Sequence, residues 1–192
     1  MTIRLSVLTA AILLFAAPGA RADLVTNGGF ETGDFSGWQV DNIHGTTFVS
    51  AYSGYVHSGT YGASLGVERG DNVLSQQLAT IVGDSYNITF YLRGSTSPST
   101  ELKVFFGTDV LLDLVDSTQG DWTKYSFDEV ATSASTLLAF NTNGTSFGAF
   151  ALDDVSVVPD AVPEPASLVL FGSGLLAASG FRWRKRPKVV RR

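Results

Sequence analysis

Gly62-Ala63-Ser64-Leu65-Gly66 has the G-x-S-x-G spacing that, on a strand-turn-helix elbow, lifts a serine hydroxyl into place for acyl transfer. That chemistry needs an acid and then a histidine downstream of the serine. Both histidines, His44 and His57, come before Ser64, and the surrounding residues read as strand, so the spacing is a coincidence. Two histidines thirteen residues apart, without a third, make a weak zinc set. Neither H-E-x-x-H nor a P-loop occurs. The pairs Asp113 and Asp116, and Asp128 and Glu129, lie in an acidic surface where solvation is the ordinary role; glycoside hydrolysis would need two carboxyls facing each other across a cleft. There is no cysteine, which excludes disulfides and thiolate metal sites. The chemistry left is binding. Tyr52, Tyr55 and Tyr61 lie in or near a Gly/Ser-rich stretch with His44 and His57, where loops can present rings for a pyranose to stack on. Tyr91 and Arg93 share the polar side of one strand. For each of these the alternative is ordinary surface or half-buried packing.

Charge narrows the partners. Seventeen acidic groups against Arg69, Arg93, Lys103 and Lys124 leave residues 23–160 near −13, while seven basic residues follow Phe181, so the −5 of the whole chain hides an asymmetry. Such a surface repels nucleic acid and anionic membranes, and it favours divalent cations and neutral or cationic partners. No nucleic-acid partner is expected.

The elements that must position these residues are strands. Short β-branched and aromatic runs alternate with Gly, Asn, Asp and Ser turns, and helical periodicity is nowhere sustained. Tyr86 to Leu92 is the clearest: Tyr86, Ile88, Phe90 and Leu92 point one way and Asn87, Thr89 and Tyr91 the other. Further strands are expected at Leu24 to Val25, Trp38 to Val40, Thr47 to Ser50, Gly62 to Val67, Val73 to Leu78, Leu102 to Phe106, Val110 to Leu114, Thr123 to Val130, Thr136 to Phe140 and Phe147 to Val157. The expected fold is all-β, an antiparallel two-sheet jelly-roll sandwich, in one domain over residues 23–160.

Both ends read as addresses. Arg4, the apolar run Leu5 to Ala17 and the small-residue pattern Ala20-Arg21-Ala22 read as a signal peptide over residues 1–22, cut after Ala22. At the other end stand Val162, Pro163, Glu164 and Pro165, then an apolar stretch from Ala166 to Phe181, then a basic end over 182–192. As a helix the stretch is about 24 Å long against a hydrocarbon core of about 30 Å, so it spans by snorkelling and local thinning, with its basic end in the cytoplasm. The prolines keep the linker extended. This order of elements resembles the PEP-CTERM sorting signal of Gram-negative bacteria. The resemblance implies recognition and cleavage by exosortase, a membrane protease, after transient anchoring in the inner membrane. The alternative is a plain single-span anchor.

Asn27-Gly28-Gly29-Phe30-Glu31 with Gly37-Trp38, His57 to Leu65, and Leu152-Asp153-Asp154-Val155-Ser156-Val157 resemble the ends and second turn of galactose-binding-like jelly rolls, a superfamily that includes many carbohydrate-binding modules. The resemblance implies a structural calcium ion pinning the N-terminal loop to the last strand, with Glu31 and Asp153 as carboxylate ligands and loop oxygens near Gly29 and Ser58. The alternative is that Glu31 caps a turn and Asp153-Asp154 is a solvated bulge. The resemblance also puts Trp38 and Trp122 in the core, and Tyr91 and Arg93 on a concave face that some such modules use. The expectation is a non-enzymatic, exported cell-surface or matrix protein that binds extracellular polysaccharide or organises a biofilm. Its rivals are a structural surface protein with no sugar ligand and a matrix-remodelling hydrolase.

Overall fold

The computed structural model describes residues 21–42, 46–66, 71–95, 97, 99–116, 120–144 and 148–160. The signal peptide up to residue 20, His44, Arg69, the V-P-E-P motif and the apolar and basic tail therefore lie outside the described residues. Among those described, no helix is long and apolar enough to cross a membrane.

Ten strands follow in order: β1 (Gln39–Asn42), β2 (Phe48–Ser50), β3 (Gly62–Gly66), β4 (Asn72–Ala79), β5 (Ser85–Arg93), β6 (Thr100–Phe106), β7 (Asp109–Val115), β8 (Thr123–Val130), β9 (Ser135–Gly144) and β10 (Ala149–Pro159). They form two five-stranded antiparallel sheets, ordered β1-β4-β9-β6-β7 and β2-β3-β10-β5-β8. The alternation in the sequence explains the layering. On β5, Tyr86, Ile88, Phe90 and Leu92 are buried, and they meet Leu102, Val104, Phe106, Leu138 and Phe140 from the other sheet in one core. Each fully buried ring or branched chain contributes about 1.5–3 kcal/mol.

Strands expected from the sequence are found in place, with one exception. Leu24 to Val25 is not a strand, although Leu24 N–H donates to Val157 O at 2.9 Å. The side chain of Asp23 explains why: its Oδ1 accepts from Val25 N–H and from Val157 N–H, both at 2.9 Å, so a carboxylate takes the donors a ladder would need. The chain begins the sandwich tied to its last strand.

Three features position the outward-facing side chains of the second sheet. On β5, Thr89, Tyr91 and Arg93 point away from the core. In β10, Ala151 pairs with Arg93 and Asp153 with Tyr91, after which the register shifts between Asp153 and Ser156. Asp154 has φ +51° within that bulge, a left-handed conformation that Asp tolerates better than most residues. The loop between β2 and β3 then folds back over this face.

Candidate functional site

Two structures share the outer face of the β2-β3-β10-β5-β8 sheet: a junction of loops around Asp153, and a cavity beside it.

The junction begins with the loop from Asn27 to Trp38. Asn27, at φ +54°, donates through Nδ2 to Thr32 Oγ1, Asp34 O and Ser36 O, which closes the loop on itself. Asp34 accepts from Ser36 N–H and Thr32 Oγ–H; the Ser36 hydroxyl, the Thr32 hydroxyl and the Ser36 N–H together hold its carboxyl below the ordinary value. Phe30 is strained at φ +56° but fully buried, its ring 5.7 Å from Trp38 and 5.9 Å from Phe35. Burial of the ring offsets a strain of about 1–3 kcal/mol. Gly28 lets the loop touch the bulge: Val155 N–H donates to Gly28 O at 3.0 Å, and any Cβ at Gly28 would overlap the Val155 carbonyl.

Glu31 then reaches the turn before β3. Its carboxylate accepts from Thr60 N–H at 2.9 Å and Tyr61 N–H at 3.1 Å, and Gly59, at φ +69°, leaves the space that a side chain would take from it. Asp153 lies under the same turn with no exposed surface; its Oδ2 accepts from His57 N–H at 2.8 Å and Ser58 N–H at 3.1 Å, and its Oδ1 from Asp154 N–H at 2.8 Å. Burial pushes the Asp153 carboxyl up from its ordinary value, against the pull of those three donors. Asp154 accepts from Ser58 Oγ–H at 2.7 Å and pairs with His57 Nδ1 at 2.6 Å.

The structure thus brings Glu31, Gly29, Ser58 and Asp153 together from three distant parts of the chain. A methyl group on Gly29 would sit 3.7 Å from Asp154 Oδ1 and 3.8 Å from Asp153 Oδ1. Glu31 caps a turn, as the alternative reading has it, but the bulge is not solvated at Asp153. The donors are all oxygen, and among the described residues the only ion-pair partner these three acids find is His57. Oxygen donors are the kind a hard divalent cation takes. Side chains alone do not make the cage: no three His, Asp or Glu groups among the described residues stand close enough to hold a metal. Main-chain oxygens would have to complete it.

Beside the junction, Tyr52, Gly54 and Tyr55 of the loop, Arg93 with Gly94, Ser95 and Ser97, and Ala149 and Ala151 of β10 line an open cavity of about 290 Å³. The rings of Tyr52 and Tyr55 stand 5.8 Å apart at 65°, and Tyr55 is braced edge-on by Phe48 at 5.7 Å. Tyr52 is 66% exposed. Arg93 Nη1 donates to Gly54 O at 3.4 Å. Three of the five candidates, Tyr52, Tyr55 and Arg93, therefore share one cavity, while Tyr61 lies against Gly33 instead. Tyr91 does not line the cavity; its ring stacks on His57 at 3.6 Å and lies 5.9 Å below Lys124 Nζ.

Trp38 is buried, at 8% exposure. Trp122 is not core: it is half-buried and meets His57 edge-on at 5.4 Å, on the outer face. Both tryptophans follow a glycine turn, but Trp122 stands one residue ahead of the edge strand β8 and faces the loop rather than the opposite sheet. Ser64 is wholly buried within β3, the wrong place for a nucleophile. His57 and Asp154 were missed as fasteners; the adjacent Asp153-Asp154 pair was their one signal.

Residues 161–186 match the model of the PEP-CTERM protein-sorting motif. The chain ends in a sorting signal. No curated protein sequence matches it. Among solved structures, TmCBM61 in complex with β-1,4-galactotriose is similar over 72% of this chain and 99% of its own, at 18% identity and a TM-score of 0.61. A xylan-binding domain from Paenibacillus barcinonensis is similar over 77% of this chain and 100% of its own, at 18% identity and a TM-score of 0.55. A cleaved adhesin domain of Lys-gingipain from Porphyromonas gingivalis is similar over 69% of this chain and 96% of its own, at 17% identity and a TM-score of 0.55. At these identities the likeness is one of fold: the sandwich is a jelly roll like those of these three domains.

Proposed function

We propose that this chain is an exported, non-catalytic polysaccharide-binding module, delivered to the cell envelope or extracellular matrix by its sorting tail, where it adheres to or organises the matrix polymer. The observation that supports this reading best is the cavity that gathers Tyr52, Tyr55 and Arg93 on one face of a carbohydrate-binding-module fold. Ring faces to stack a sugar, a guanidinium and loop hydroxyls to hold its oxygens, and a pocket open to solvent are what recognition needs, and none of them breaks a bond.

An exosortase-type membrane protease is the proposed processing partner, acting at Val162-Pro163-Glu164-Pro165 while the helix over 166–181 holds the chain transiently in the inner membrane. The proposed cofactor is a structural calcium ion held by Glu31 and Asp153 with oxygens of Gly29 and Ser58. It would neutralise buried carboxylate charge and fasten the first loop to the last strand.

Affinity electrophoresis of the full chain in gels cast with matrix polysaccharides tests the function. Retention by at least one polymer, abolished by Tyr52→Ala or Tyr55→Ala at unchanged melting temperature, is the expected result. No retention on any polymer, with or without calcium, favours a structural surface protein. Release of reducing ends favours a hydrolase.

A further inference from the structure

We infer that the cavity formed by Tyr52, Tyr55 and Arg93 takes a carboxylate-bearing sugar, a hexuronate unit of an acidic polysaccharide. This rests on the polysaccharide-binding reading of the same cavity and adds the chemical class of its occupant.

The cations of the sandwich are few, and they are not equivalent. Lys103 is held by Glu101 at 2.6 Å and Asp113 at 3.7 Å. Lys124 lies over the Tyr91 ring and does not line the cavity. Arg93 forms no ion pair among the described residues, and its bond to Gly54 O, at 3.4 Å, is long. In a segment with seventeen acids, none is among the described residues that line this cavity. A half-buried guanidinium with five donors in a planar fork thus faces a cavity whose described lining holds no carboxylate.

The partner that completes it has a planar carboxylate to meet the fork and a pyranose face to lie on tyrosine. A hexuronate has both. The volume, about 290 Å³, stands at the lower end of ligand cavities and suits one sugar unit rather than a run of them. The charge near −13 opposes an anionic polymer, but only over a screening length of about 8 Å at physiological salt. A guanidinium-carboxylate contact at about 2.8 Å acts well inside that length, so the local pair outweighs the distant repulsion.

The test is calorimetric titration of the full chain in detergent, at physiological salt with calcium present, against tetragalacturonate and against the same tetramer after carboxyl reduction. Binding of the acidic tetramer is expected to be about tenfold or more tighter. Arg93→Gln should reduce it to the level of the neutral tetramer. Arg93→Lys, which keeps the charge but not the fork, should fall between, and Lys124→Gln should change nothing. Equal binding of the two tetramers overturns the inference, as does acidic binding that survives Arg93→Gln by a calcium bridge; the polysaccharide-binding reading stands in both cases. If neither tetramer nor any matrix polymer binds, both fall. Melting temperature checks that each variant is folded.

Discussion

His57 and Tyr91 stack face to face, with ring centroids 3.6 Å apart and planes 17° from parallel, across the gap between a loop and strand β5. The same imidazole grips Asp154 through Nδ1, and the backbone N–H of His57 donates to Asp153. One residue therefore fastens the loop to two neighbouring strands. Since that loop also supplies Tyr52 and Tyr55, the stack sets the wall of the cavity without touching what lies in it.

The expected outcome for Tyr91→Ala follows. Removing the ring should loosen the loop at a cost of about 1 kcal/mol, the scale of an aromatic pair beyond its buried area. Limited proteolysis should then cut within residues 51–61 faster than in the wild type. Loss of sugar retention with unchanged proteolysis would instead make Tyr91 a contact residue.

The two tryptophans should separate cleanly. Trp38 donates from Nε1 to Asn27 O at 3.1 Å and packs on Phe30 and Phe140, so Trp38→Ala should cost about 3–5 kcal/mol. Trp122→Ala returns a partly exposed ring to solvent and should cost under about 2 kcal/mol. Denaturant melts of the two variants check this; equal losses would place Trp122 in the core.

Calcium should raise the melting temperature, by an amount equivalent to about 2.7 kcal/mol at a hundredfold excess over Kd, and Glu31→Ala and Asp153→Ala should each abolish the rise. In chelator, the folded state keeps the proton on Asp153 to a higher pH than the unfolded chain does. The contribution of this group to stability is therefore greatest below its ordinary value of 3.8 and falls as pH rises through the raised one. The stability difference between wild type and Asp153→Asn, followed from about pH 3.5 to 7 in chelator, isolates it. A difference that grows in favour of the wild type with pH would reverse the sign and remove burial as the cause. An unchanged melting temperature after demonstrated removal of calcium would retire the metal.

Mass spectrometry of protein from the native host should find Asp23 as the first residue and a C-terminus close to Pro163-Glu164-Pro165. Recovery of intact Arg192 in most mature molecules would leave a plain anchor in place of a processed tail.

Most of the sheet structure was legible because it is local. The alternation of Tyr86, Ile88, Phe90 and Leu92 declares a strand and its buried side within seven residues, and β8 was bounded correctly by the turns at its ends. What stayed hidden depends on which strand lies next to which. Nothing near Trp122 says that His57, 65 residues earlier, will lie against it, and nothing near His57 names Asp154 as its partner, 97 residues away. Family likeness supplied the meeting of Glu31 with Ser58 and Asp153, which spacing alone does not. Leu24 to Val25 failed as a strand for the opposite reason: its sequence suits β structure, but Asp23 intercepts the donors.

The last of the described strands, β10, lies at the centre of its sheet, between β3 and β5. A chain threaded through a membrane with its N-terminus leading delivers β2, β3, β5 and β8 first, and they have no middle to assemble around. That sheet cannot close until Pro159 has emerged. Contacts between such distant segments form slowly. Anchoring by the tail would then hold the newly delivered chain at the bilayer while the sheet closes, so that release from the membrane comes after folding rather than before it.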